Sequence, residues 1–286
     1  MAKNHGTTNS LYSKILSQAK EFLKIIIDPI DIFLAGVFQA TKMPQRFVII
    51  AQGRSGSSYL VALLDTHPDI VCHGEILQRT STLLSSKTRY FRTYNRFVAK
   101  IKHVFPRFFL RLIWYLGRHQ KIIGFKYIVN HTARIHDMLL RDPAVRKIVL
   151  HRRNVIRRQI SLQIANETGL WANFETAKEA HPIEFDLKYF RHIVESTSEL
   201  WRKIMASIKS PEQPFLEVYY EDLAGQEGEH QLARIFRFLG VAPHSLAGIN
   251  VPHQRQNPFP ISELVTNFDE LATALEGTEY EWMLDD

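Results

Sequence analysis

The sequence of 286 residues holds a single cysteine, Cys72. No internal disulfide can form and no cysteine cluster can hold a metal, a usage that fits a reducing cytoplasm. No uninterrupted apolar run reaches about 18 residues, the length of a membrane span. The opening MAKNHGTTNS lacks the basic and then apolar layout of a signal peptide. The expectation is a cytoplasmic protein, with contact to a membrane surface left open. Acidic residues are missing from one long stretch: none lies between Glu75 and Asp137, while basic residues recur from Arg79 to Arg134. The formal net charge is +7, but its uneven distribution says more than its size. A region so one-signed favours an anionic donor, an anionic acceptor or an anionic membrane. Nucleic acid is not the expected partner, because no zinc finger, helix-turn-helix or RNA-binding sheet signature accompanies the bases.

What is present is enough apolar material, 45% of the chain, for a substantial core in one large domain over 1–286. Runs of β-formers at 47–51, 70–73, 121–127, 147–151 and 215–219 read as strands. Apolar-periodic helices lie between several of them, one ending at Gly240 with Pro243 beyond. Strand and helix alternating in this way call for an α/β fold, with a parallel sheet covered on both faces. Residues 11–40 read as an N-terminal helical extension kinked at Pro29, packed on the domain, on a second copy in a homodimer, or on lipid. Residues 76–120 combine aromatics with bases and read as a helical insertion walling the acceptor side. A short helix is expected near Asn267, with Glu270 in the capping-box position.

The chain is organised around residues 47–64, FVIIAQGRSGSSYLVALL. A strand enters a Gly/Ser-rich turn that opens into a helix bearing Leu60, Val61, Leu63 and Leu64. Gly53 and Gly56 permit a tight turn, and Ser57 or Ser58 can cap the helix. Backbone N–H groups at the positive end of the helix dipole, with the charge of Arg54, make an anion cradle. It is not a Walker loop, since Ser57, Ser58 and Tyr59 follow Gly56 where Lys then Ser/Thr is required. Nor is it the G-x-G-x-x-G dinucleotide fingerprint.

The turn, GRSGSS, resembles the 5′-phosphosulfate loop of sulfotransferases that use 3′-phosphoadenosine 5′-phosphosulfate (PAPS), closest to the bacterial carbohydrate and lipid branch. The resemblance covers 47–75, 121–165, 214–240 and 250–285. It implies a P-loop-like three-layer fold, with a central parallel sheet flanked by helices. Its function would be sulfuryl transfer from PAPS, leaving PAP, to a hydroxyl of a glycan, glycolipid or lipid-like acceptor by in-line displacement, with no metal. Arg54, Ser55, Gly56, Ser57 and Ser58 would then hold the 5′-phosphosulfate, with Arg54 also serving the reaction. Arg153 and Ser161, eight positions apart across a strand end and a helix start, would hold the 3′-phosphate, Arg as a rigid fork and Ser as a short donor.

Two residues compete for the role of base. Glu75, in HGEIL, is similar to a Gly-Glu of the trehalose-type branch whose carboxylate is the proposed base. His131, after FKYIVN, is similar to the histidine base of the aryl and steroid branch, where the spacing from its lysine is tighter. Glu75 is preferred. Tyr220, in YEDL, is similar to a late-strand motif that holds the phosphate-side elements together, and Arg255, in HQRQ, to a basic loop closing over the nucleotide. Two other accounts remain open on the residues alone: a nucleotide-dependent kinase, which the missing Walker lysine disfavours, and a non-enzymatic basic module docking on membrane or nucleic acid through 79–134.

Overall fold

The computed structural model of the protein describes residues 44–78, 84, 85, 87, 102, 105–117, 119–129, 133–171, 179–208, 213–245 and 256–285. The N-terminal extension expected at 11–40, His131, Arg255 and most of 79–104 lie outside them.

Five strands, β1 (Gln45–Ala51), β2 (Ile70–His73), β3 (Ile122–Ile128), β4 (Val145–His151) and β5 (Phe215–Tyr219), form one parallel sheet in the order β2-β3-β1-β4-β5. Every pairing is parallel, with Ile49 opposite Lys126 on one side and Ile148 on the other. β1 to β4 are almost wholly buried, as a parallel sheet with helices on both faces requires, while the edge strand β5 is mostly half-buried. The α/β expectation is met. After β1 the chain moves toward β2 and β3, and then returns past β1 to β4 and β5. The carboxyl end of β1 is thus the point where strand order reverses, and there open sheets bind their ligands.

One face of the sheet presents Phe47, Ile49 and Ala51 of β1 with Ile148 and Leu150 of β4. They pack against Leu60, Leu63 and Leu64 of α1 (Ser57–Thr66) and against Leu232, Ile235, Phe236 and Leu239 of α7 (Gly228–Leu239). Gly124 of β3 sits beside Phe47, where an added Cβ would lie 2.4 Å from the ring. On the other face Phe125 meets Trp114 of α2 (Pro106–Leu116), with ring centroids 6.4 Å apart. Phe109, Leu110 and Ile113 of α2 are also buried. This end of the expected insertion is therefore a layer of the sheet packing as well as a candidate wall. α3 (Ala133–Arg141) lies against α5 (Leu187–Ile208).

A second core forms beside the sheet. Ile156, Ile160 and Ile164 of α4 (Val155–Thr168) pack with Phe190 and Ile193 of α5. Ile261 and Leu264 of α8 (Ile261–Leu264), and Leu271 and Leu275 of α9 (Phe268–Leu275), complete it. A single parallel bridge, Ile183 to Val265, stitches the segment before α5 to the C-terminal segment. α9 does not use the expected capping box, and no side chain caps it. The Asn267 side chain instead pairs with both backbone groups of Phe185, accepting from its N–H at 2.9 Å and donating to its carbonyl at 3.0 Å. No helix among the described residues is long and apolar enough to cross a membrane.

Candidate active site

The turn after β1 carries two residues with positive φ, Arg54 at 63° and Gly56 at 81°. Gly56 suits its conformation and leaves no room for a Cβ, which would lie 2.0 Å from the Tyr220 ring, whereas at the other bend the left-handed residue is Arg54 and not Gly53. A non-glycine residue held there is uncommon and needs surrounding structure to keep it. That structure is on hand. The Arg54 carbonyl accepts a hydrogen bond from Arg152 at 2.8 Å. Its guanidinium donates to Ser161 Oγ at 2.9 Å, to the Trp171 carbonyl at 2.8 Å, and to Gln256 Oε1. Ser55 is buried, with its hydroxyl on the Gln52 carbonyl at 2.8 Å. Burial, then the nearby Arg152, lowers the Arg54 pKa from its ordinary value.

α1 begins immediately after this turn. Its N-cap is Gly56, and neither Ser57 nor Ser58 caps it through a side chain. The Ser58 hydroxyl is engaged elsewhere: Lys126 Nζ lies 2.8 Å from Ser58 Oγ and 2.9 Å from Glu75 Oε1. Lys126, on β3, is only 4% exposed. It joins the helix that leaves the anion turn to the carboxylate that follows β2. The sequence reading overlooked it, although a signal existed. In KIIGFKYI the alternation puts Lys126 on the same face as Gly124, which packs on Phe47. A lysine at a core-facing strand position is costly unless paired.

The YEDL segment forms α6 (Tyr220–Ala224) directly after β5. Tyr220 lies against Gly56, with Arg152 stacked 4.9 Å from its ring centroid. Glu221, to which the sequence reading gave no role, accepts the backbone N–H groups of Arg153 and Asn154, each at 3.1 Å, at the start of α4. Asn154 then caps α4, its side-chain oxygen accepting from the Arg157 N–H at 2.7 Å. Asp222 binds the Arg153 guanidinium through both oxygens, which holds the Asp222 carboxyl below its usual value and raises Arg153. The Arg153 guanidinium also stacks 4.0 Å from the Tyr219 ring centroid. Arg153 and Ser161, expected as a pair, engage different partners: Arg153 binds Asp222 and stacks on Tyr219, and Ser161 accepts from Arg54.

The nominated residues that are described thus gather at the carboxyl ends of β1, β2, β4 and β5, at the start of α1 and along the first half of α4. No group of three or more His, Cys, Asp or Glu placed to bind a metal occurs among the described residues. An anion turn at a sheet's switch point, with cations at two helix starts and the Glu75 carboxylate held by a buried lysine nearby, is the layout of an α/β enzyme that handles a phosphate-bearing ligand.

Comparison with known proteins makes the class definite. The model of the "Sulfotransferase family" matches residues 45–245, and the chain belongs to that family; it is a sulfotransferase enzyme. It is similar to "Nodulation protein H" of Rhizobium meliloti (strain 1021), 24% identical over 246 residues that cover 84% of this chain and 95% of that protein. The same is true of "Nodulation protein H" of Rhizobium tropici, 24% identical over 242 residues, 83% of this chain and 92% of that one. Among solved structures, the sulfotransferase from Alicyclobacillus acidocaldarius is similar at a TM-score of 0.46 and 13% identity, over 76% of this chain and 88% of that one.

Proposed function

We propose that the enzyme transfers a sulfuryl group from PAPS to a hydroxyl of a glycan, glycolipid or lipid-like acceptor by direct in-line displacement. The residues present suit such a donor. The turn at Gly56 is a cradle in which a Cβ would meet Tyr220 at 2.0 Å, and cations converge on it without a carboxylate inside the turn. Arg54, Ser55, Gly56, Ser57 and Ser58 would hold the 5′ end, and Arg153 and Ser161 the 3′-phosphate. The hydrogen bond from Arg54 to Ser161 Oγ at 2.9 Å supports a share for Arg54 in that second role as well. Tyr220 supports the turn from behind. When bound, the donor supplies the sulfuryl group and a phosphate leaving group.

The observation that carries this reading is Lys126, which links the anion turn to Glu75. On the acceptor side Glu75 takes the hydroxyl proton as the new O–S bond forms. Arg54 and the N–H groups that open α1 neutralise the phosphate oxygen released as the old S–O bond breaks. Lys126, between Ser58 and Glu75, fixes the carboxylate and places a cation beside the oxygens in transit. Positioning and electrostatics supply most of the barrier reduction, as in phosphoryl transfer. The wholly basic run from Arg79 to Arg134 favours an anionic glycan or glycolipid over a small neutral phenol. The test is PAPS-dependent transfer across glycan, glycolipid and phenolic acceptors, read by mass spectrometry, with calorimetric PAP binding. Glu75→Gln is expected to lose transfer while still binding PAP; full activity in that variant refutes Glu75 as the base.

A further inference from the structure

A cavity of about 610 Å³ opens between α4 and α5. It lies within the size range of small-molecule sites. α4 turns Ser161 toward Arg54, and Arg158, Gln159 and Leu162 toward this cavity. Arg158 is only 7% exposed. Its Nε has no hydrogen-bond partner, and its one side-chain hydrogen bond is a 3.3 Å contact from NH2 to Thr197 Oγ1. No carboxylate faces it among the described residues. The carboxylate that does line the cavity, Glu199, is committed to its own helix, with Arg202 at 2.7 Å and Lys203 at 3.1 Å. A buried guanidinium without an anion is expensive, and an unsatisfied buried donor calls for an absent partner. The opposite wall offers Ile193 and Leu200, with Tyr189 half exposed at its edge.

We infer that this cavity is a second anion site, separate from the donor turn, which takes an organic oxyanion: a carboxylate or a phosphate ester carrying an apolar body. The oxyanion meets the Arg158 guanidinium with the Thr197 hydroxyl beside it, a charge-assisted contact that supplies the anion the buried cation lacks. The apolar body lies along Leu162, Ile193 and Leu200. Gln52 also lines the cavity, and its carbonyl holds the Ser55 hydroxyl of the anion turn at 2.8 Å. An occupant therefore touches the residue on which the turn is hung. The inference does not depend on the identity of the donor or acceptor.

The experiment is calorimetric titration and thermal unfolding of the full chain in buffer free of oxyanions. The probes are phenyl phosphate and 3-phenylpropionate, which share an apolar body and differ in head, and inorganic phosphate, which lacks the body. Saturable binding of one organic probe is expected, at least about tenfold tighter than inorganic phosphate and weakened at least about tenfold in Arg158→Met. Which head binds tighter identifies the source. Thr197→Asp, which supplies Arg158 with a carboxylate from within the chain, is expected to raise Tm and to abolish probe binding. In Arg153→Gln, altered only on the donor side, the response persists. Failure of both organic probes to bind, binding undiminished in Thr197→Asp, or binding lost in Arg153→Gln but kept in Arg158→Met overturns the proposal.

Discussion

Replacing Gly56 by alanine tests how the anion turn is held. Two costs follow from the geometry. The left-handed φ of 81° penalises any Cβ by about 1–2 kcal/mol. The added Cβ also falls 2.0 Å from Tyr220 Cδ2 and 2.9 Å from its Cγ. These atoms lie near the root of the ring, so the whole side chain must move. Such overpacking costs about 1–3 kcal/mol, and it separates the ring from Arg152, 4.9 Å from its centroid, worth about 0.5–1 kcal/mol. A total near 4 kcal/mol corresponds to a fall in Tm of roughly 8–16 °C for a domain of this size. The assay is a double-mutant cycle by denaturant unfolding on Gly56→Ala, Tyr220→Ala and the pair. With the ring gone, only the left-handed penalty remains, so a coupling of about 2–3 kcal/mol is expected. If Gly56→Ala costs the same with and without Tyr220, the ring does not brace the turn and the reasoning fails. PAP affinity, measured on the same proteins, should fall in Gly56→Ala.

Lys126→Met should lower turnover by at least about 100-fold by removing the cation between Ser58 and Glu75, and Lys126→Arg should restore part of it. Equal turnover in Lys126→Met and wild type would remove the lysine from the mechanism. His73, fully enclosed with its Nδ1 accepting the Ser85 N–H at 3.0 Å, has its pKa lowered by burial from 6.5 to about 4. Because the unfolded chain takes up this proton first, stability present above pH 6.5 is lost as pH falls toward 4, by about 3 kcal/mol across the window. Urea unfolding at pH 7 and pH 4.5 should show that loss in wild type and a shallower one in His73→Gln; parallel slopes would contradict the assignment.

The sheet was largely legible from local signals. β2 and β5 begin and end where runs of β-formers do, because Pro68 and Gly74 bracket one and Pro214 and the YEDL helix the other. β1 starts two residues before the apolar run, since the polar Gln45 and Arg46 can pair at a sheet margin that the core does not fully reach; β4 also starts two residues early, at the buried Val145, which Arg146 separates from the run that follows. The anion turn and α4 were legible for the same reason, as their chemistry lies within a few adjacent residues. What escaped was fixed by distance along the chain. Lys126 finds its partners 68 positions away at Ser58 and on another strand's exit at Glu75, and the Arg54 guanidinium reaches 107 positions to Ser161 and 202 to Gln256. Ser58 could be read as a cap because nothing local reveals that its hydroxyl is needed by a lysine. Glu221 escaped for a similar reason: its partners are the N–H groups of a helix some 67 residues earlier.

The reach from Arg54 to Gln256 also sets an order of assembly. Arg157 donates to the Phe259 carbonyl at 2.6 Å, and Asn154 to the Met283 carbonyl at 2.7 Å, so the helix that begins beside the anion turn is fastened by residues made more than 100 positions later. During synthesis β1 to β4 can pair while those fasteners are still unmade, leaving Arg54 without its Gln256 partner and the α4 core open. The nascent chain can therefore be a sheet before it is an enzyme, and a chain cut short before residue 256 lacks the Gln256 contact that holds Arg54.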